Sequence, residues 1–120
     1  KTHPDLPKLI QAHKRFNNFL SKVIPEKGFF TGDYNLFGHI EKKLCDKTSE
    51  IDTSITPLIE KLDFSAILLK LVEIAPIIDE FFENIEVMAE DLKIREGRLY
   101  LLDKLRKLFS RVADFSELQP

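Results

Sequence analysis

The chain has 120 residues, enough for one domain that buries roughly two thirds of its unfolded surface without staples. It is 43% hydrophobic and 32% charged with a net charge of -2, which excludes the disordered class. No apolar run approaches the roughly 18 residues of a membrane span, and the lone Cys45 excludes an internal disulfide and fits a reducing, cytoplasmic setting.

Leu6, Leu9, Ile10, His13, Phe16, Phe19, Leu20 and Val23 recur at helical spacing and predict a helix from about Asp5 to Ile24. Asp5 is its expected N-cap, Pro7 sits in its first turn, and Pro25 and Gly28 stop it. Residues 25–38 read as a loop carrying Gly28, Gly32 and Gly38 with Phe29, Phe30, Tyr34 and Phe37. The loop aromatics Phe29, Phe30 and Tyr34 can plug the end of the core or stack bases. A second helix is expected from Gly38 to Leu62, with Thr48 interrupting its apolar stripe and Pro57 kinking or breaking it. Cys45 falls in that helical pattern as a half-buried residue.

Asp63 or Ser65 caps the next helix, through Ala66, Leu69 and Val72. Pro76 stands where a fresh helix begins, through Ile77, Ile78, Phe81 and Phe82. Residues 85–91 are a connection, with Met88 expected in the core beside Phe81. Asp91 caps the clearest helix, Leu92 to Val112, whose stripe is Ile94, Leu101, Leu102, Leu105, Leu108, Phe109 and Val112. No segment alternates with period two. The expected fold is all-α, a single-domain helical bundle of four to five helices.

Charge is unevenly spread. Residues 1–27 carry a balance of +4, residues 28–92 of -9 and residues 93–111 of +5. If the first and last helices lie side by side, they make one basic face that attracts phosphates. Catalytic patterns are missing. His3, His13 and His39 have no ligand partner at metal spacing, and the loop glycines fit no phosphate-binding pattern. No nucleophile, base and oxyanion site assemble in the sequence. Asp79–Glu80 and Glu90–Asp91 read as helix caps or solvated carboxylates rather than catalytic pairs.

The run from Phe81 to Gln119, FFENIEVMAEDLKIREGRLYLLDKLRKLFSRVADFSELQ, resembles the C-terminus of bacterial glycyl-tRNA synthetase beta subunits. The family pattern there is Phe-Phe-Asp-x-Val-x-Val-Met, an acidic pair, then Leu-Arg-x-Asn-Arg-Leu. It continues as Leu-Leu-x-x-Leu-Arg-x-Leu-Phe and closes on Val-Ala-Asp-x-Ser-x-Leu-Gln. His13 to Lys22, HKRFNNFLSK, is similar to the family's Asn-Lys-Arg-x-x-Asn-Ile-Leu segment, and Asn35, Leu36, Phe37, Glu41 and Leu44 fit a weaker pattern between them.

The resemblance implies a DALR-type anticodon-binding domain, non-catalytic by itself, at the C-terminal end of a longer subunit. It implies glycine tRNA and the synthetase alpha subunit as partners. It implies no cofactor in this domain, ATP and magnesium being used by the parent enzyme. The tetrad that names the fold reads Leu92-Lys93-Ile94-Arg95 here, and Gly97 replaces the usual Asn.

Six residues are the candidate RNA contacts. Lys14, Arg15, Asn18 and Lys22 lie on the first helix, with Asn17 beside them, and Arg95 and Arg98 lie near the start of the last. That start also offers free N–H groups to an anion. Arg98 lies on the core stripe, so it can instead pin the connection through Glu90, Asp91 or Asp79. Beside a generic soluble helical domain of no assignable role, two competing readings remain. One is the equivalent domain of an arginyl-tRNA synthetase, which the Val-Ala-Asp-x-Ser-x-Leu-Gln ending disfavours. The other is a subunit-docking module without RNA contact.

Overall fold

The computed structural model describes residues 6–23 and 29–117, with side chains described for residues 7–23 and 29–113. Asp5, Ile24, Pro25, Gly28 and the closing Gln119-Pro120 therefore lie outside the described residues. The described residues form five α-helices and no strand: α1 (Leu6–Ser21), α2 (His39–Glu60), α3 (Phe64–Leu71), α4 (Ala75–Asn84) and α5 (Leu92–Glu117). Short 3₁₀ turns cover Tyr34–Leu36 and Val72–Ile74. The all-α bundle is thus as expected, and α5 runs past Val112 to Glu117.

The core is one cluster. Leu9, Ala12 and Phe16 of α1 meet Leu44, Ile51 and Ile55 of α2, Ile67 and Leu71 of α3, and Ile78 and Phe81 of α4. From α5 come Leu101, Leu102, Leu105, Leu108, Phe109 and Val112. Several positions expected in the apolar stripes or core are exposed instead: Ile10 of α1, Leu62 after α2, Leu69 of α3, Met88 on the 85–91 connection and Ile94 in the first turn of α5. Cys45 is half-buried as expected, and burial raises its thiol pKa.

Thr48 does not interrupt the stripe of α2. It is buried, and its Oγ1 donates to Leu44 O at 2.6 Å, so the hydroxyl enters the core already satisfied. Pro57 does not break α2 either, since it lies in the last turn, where one N–H is lost with little helix left to disrupt. The real stop comes at Lys61. Asp63 N–H donates to Leu58 O and Leu62 N–H to Ile59 O, the paired bonds of a Schellman motif. The motif needs a left-handed residue, and Leu62 supplies it at φ 58°. Asp63 then starts α3 by accepting from Ala66 N–H at 3.1 Å.

The acidic middle is largely stitched to itself. Lys47 Nζ bridges Glu73 at 2.8 Å and Glu50 at 3.3 Å, and Lys43 Nζ meets Glu80 at 2.9 Å across α2 and α4. The hydrogen bond from Lys47 lowers the pKa of Glu73 and raises that of Lys47.

Glu41 ties three elements together. Its Oε1 accepts from Gly38 N–H at 2.7 Å, capping α2, and its Oε2 accepts from Arg98 Nε at 2.8 Å. Arg98 Nη1 donates onward to Glu86 O in the 85–91 connection. Both charges are largely withdrawn from water, with side chains 7% and 18% exposed, so each depends on the other. Removing one partner from such a pair costs about 3–5 kcal/mol at full burial, so Glu41→Ala is expected to destabilise by about 3 kcal/mol. Urea unfolding should show this, with the Glu41→Ala/Arg98→Met double variant losing less than the single one. Leu62→Gly is expected to raise the thermal midpoint, because it removes a left-handed penalty of roughly 1–2 kcal/mol at an exposed site.

Candidate nucleic-acid interface

The first and last helices do lie against each other. Phe16 meets Phe109 edge-on with ring centroids 5.1 Å apart, and His13 stacks on the same ring at 5.1 Å with an interplanar angle of 4°. Further along α1, Asn17, Leu20 and Ser21 face Asp103, Arg106 and Lys107 of α5. Rising residue numbers on α1 therefore match falling numbers on α5, so the two helices run antiparallel. The +4 and +5 segments are brought together by aromatic packing, with no need for their charges to attract.

Between the helices lies a cleft of about 510 Å³. Asn17, Leu20, Ser21 and Val23 form one wall, and Asp103, Arg106 and Lys107 form the other. Phe29 and Phe30 close one end. Phe30 packs on the core, while Phe29 is 53% exposed. Of the three loop aromatics, Phe30 thus plugs the core, Phe29 stays exposed, and Tyr34 donates its hydroxyl to Asp46 Oδ2 at 2.9 Å. Asp103, buried at 9%, accepts from Arg106 Nε at 3.0 Å and faces Lys107 Nζ at 3.4 Å. One carboxylate holds two cations, leaving the wall with a net positive charge.

On the other side of the α5 ridge a second groove, about 310 Å³, is lined by Tyr100, Lys104, Lys107 and Arg111 against Thr48 and Asp52 of α2. Arg111 is committed there, to Asp52 Oδ1 at 2.7 Å and Thr56 Oγ1 at 2.8 Å. Lys107 stands between the two grooves.

The six candidate residues separate into groups. Lys14, Asn18 and Lys22 are exposed, and Lys14 and Asn18 lie one turn apart on the outer side of α1. Lys14 and Lys22 make no side-chain ion pair among the described residues. Arg15 turns to α4, with Cζ 4.5 Å from the Phe82 ring centroid, and Phe82 also stacks on Phe19 at 5.6 Å. Arg98 is engaged by Glu41 and Glu86, a structural pairing whose carboxylate is none of the three considered from sequence. Arg95 Nε donates to Ala89 O at 2.8 Å, so both arginines clip the same connection. Arg95 also lies eleven residues from Arg106, about 16 Å along the helix.

Two of the N–H groups at the start of α5 are already taken by a side chain. Asp91 Oδ1 accepts from Lys93 N–H at 2.9 Å and Ile94 N–H at 3.2 Å, so a carboxylate occupies the position an anion would take. Its outer face is covered too. Thr31 N–H and Oγ1 donate to Glu96 Oε2 at 3.0 and 2.9 Å, pinning the 29–37 segment across the helix. Gly97 allows this closeness, since a Cβ there would stand 3.0 Å from the Phe37 ring. An Asn at this position would meet that ring.

The positive surface is therefore centred on Lys104, Arg106 and Lys107, with Asn17, rather than on Arg95 and Arg98. Sequence reasoning counted these cations without singling them out. The available signal was the place of Arg106 and Lys107 between Leu105 and Leu108, off the stripe, with Asp103 one turn back to orient them.

Among the described residues no group of three or more His, Cys, Asp or Glu could hold a metal ion, and no helix is long and apolar enough to cross a membrane. Residues 9–115 match the DALR anticodon binding domain family. The chain is 36% identical over 118 residues to the glycine–tRNA ligase beta subunit of Psychromonas ingrahamii, covering 98% of this chain and 17% of the relative. It is 39% identical over 114 residues to that of Haemophilus influenzae, covering 92% of this chain and 15% of the relative. It is 37% identical over 119 residues to that of Acinetobacter baumannii, covering 99% and 17% respectively. The chain thus spans about one sixth of the length of these relatives.

His13 makes the seam sensitive to pH. Burial lowers its pKa below 6.5, so the folded state binds its proton less readily than the unfolded chain does. His13 then contributes stability that is complete above pH 6.5 and lost as pH falls from there through the folded-state value. The thermal midpoint of the native chain should drop between about pH 7.5 and about pH 5.5. In a His13→Phe variant the drop should be smaller, and an equal drop would show that other groups carry it.

Proposed function

The chain belongs to the DALR anticodon binding domain family, and from that premise we propose that it holds the anticodon stem-loop of glycine tRNA on the face shared by α1 and α5. It does so as the tRNA-binding end of a glycine–tRNA ligase beta subunit, in keeping with the relatives it matches. The observation that carries the reading is the antiparallel α1–α5 pair, which joins the two basic segments and opens a cleft with an exposed aromatic between them. Phosphate contact falls to Arg106, Lys107, Lys104, Lys14 and Lys22, with Asn17 and Asn18 as neutral hydrogen-bonding groups. Arg95 and Arg98 hold the domain together behind that surface.

Joining glycine to the tRNA with ATP and magnesium belongs, on this reading, to the rest of a cytoplasmic parent enzyme and its alpha subunit. A docking function beside RNA binding is favoured by one observation. Leu36, Met88, Leu92 and Ile94 are exposed near the start of α5, away from the basic surface. Contact with the remainder of the enzyme would cover them.

Binding of glycine tRNA to the chain should weaken linearly with salt on logarithmic axes, by about 0.7–0.9 per phosphate neutralised. Arg106→Glu and Lys107→Glu should each lower affinity and reduce that slope, while Lys43→Glu on the α2–α4 face should change neither. A salt-independent affinity overturns the basic-face reading. An arginine tRNA that competes as well as glycine tRNA overturns the assignment of partner.

A further inference from the structure

Four large apolar side chains gather around the first turn of α5 and stay in water. Leu36 and Lys93 line one groove of about 320 Å³ together with Asp33. Leu92 is 70% exposed, Ile94 follows it on the same turn, and Met88 is exposed on the connection just ahead. This surface is held in place. Arg95 Nε donates to Ala89 O and Arg98 Nη1 to Glu86 O, so the connection is clipped to α5 on both sides of Met88, and Val87 beside it is buried. A segment already fixed in this way has little freedom left to lose on contact, which favours binding.

Charge and size together narrow what can cover the patch. Glu86 and Glu90 are exposed and make no ion pair among the described residues, and Asp33 and Asp91 add two more exposed carboxylates against Lys93. Such a rim repels nucleic acid and anionic lipid. A second copy of this chain would set acid against acid across a two-fold contact. The complement is a protein face whose apolar side chains are rimmed by lysine or arginine. Two free proteins form a stable complex through roughly 20–30 residues a side, and four apolar side chains fall well short of that. A tethered neighbour needs less, because a linker holds it at an effective concentration on the order of millimolar. The relatives carry about five sixths of their length outside the segment this chain matches, which leaves room for such a neighbour on the same polypeptide.

We propose that the patch of Leu36, Met88, Leu92 and Ile94 seats a basic-rimmed apolar face from another part of the same beta subunit. The proposal rests on the docking reading above and deepens it by naming the occupant and its chemistry. Glu86 and Glu90 meet the occupant's cations, and the four apolar side chains meet its apolar centre. Lys104, Arg106 and Lys107 stand further along the same helix, so seating the patch also fixes the direction in which the basic surface faces.

The test compares amide hydrogen exchange over residues 85–94 in the 120-residue chain and in a full-length glycine–tRNA ligase beta subunit bearing this chain as its matched segment. Exchange there should be about ten-fold slower in the full subunit, with no alpha subunit added and at every protein concentration. Glu90→Lys should return it to the rate of the isolated chain, whereas Glu90→Asp keeps the charge and should not. Leu92→Ser should also return it while leaving the thermal midpoint of the isolated chain nearly unchanged, which separates lost docking from lost folding. Protection that persists in Glu90→Lys overturns the basic occupant and spares the docking reading. Protection that needs the alpha subunit, or that grows with concentration of the isolated chain, overturns the occupant on the same polypeptide. Equal exchange in the two proteins overturns the proposal and the docking reading together, while the salt dependence of tRNA binding still tests the RNA reading by itself.

Discussion

The packing of Phe16 and His13 on Phe109 is the contact on which the basic α1–α5 surface depends. It joins two helices separated by most of the chain and sets their antiparallel register. From it follow the alignment of Asn17 with Arg106 and Lys107, the cleft between them, and the pairing of two basic segments whose charges oppose their approach. Like charges side by side are unfavourable, and the seam supplies the apolar and aromatic burial that outweighs them. Asp103, buried under Arg106 and Lys107, relieves part of the remaining repulsion.

The basic residues form two populations, distinguished by what they touch. Arg98 reaches inward to Glu41 and Glu86, Arg95 holds Ala89, Arg111 holds Asp52 and Thr56, and Arg15 covers Phe82. Planar guanidinium groups with several donors suit such work, because each can satisfy carbonyls and carboxylates at once. The lysines on the α1 and α5 surfaces remain solvated, as their compact charge favours. Arg106, which lines the α1–α5 cleft, is engaged by Asp103 of its own helix.

The 29–37 segment crosses α5 beyond its first turn. Thr31 grips Glu96, Gly32 lies against Tyr100 and Phe37 packs on Gly97, while Leu92 and Ile94 of the first turn stay exposed. Gly97 weakens the helix by roughly 1 kcal/mol relative to Ala, and the Phe37 ring takes the space its missing side chain leaves. The same segment ends at Phe29, left exposed beside the cleft.

Helix positions, the Asp63 and Asp91 caps, the helix start near Pro76 and most of the α5 stripe were legible in the sequence, because periodicity and capping act within a few residues. Family membership was legible for the same reason, as a run of residue types along one helix. The pairing of the two basic helices was inferred from charge and needed Phe109 to make it real. The destinations of Arg15, Arg95 and Arg98 were not legible. Each was settled by a neighbour remote in sequence or by a backbone carbonyl, as Glu41 is 57 residues from Arg98. Local sequence thus determined the helices and the inventory of charge. Tertiary structure decided which charges stay in water, because desolvation is a property of the assembled core and not of the residue.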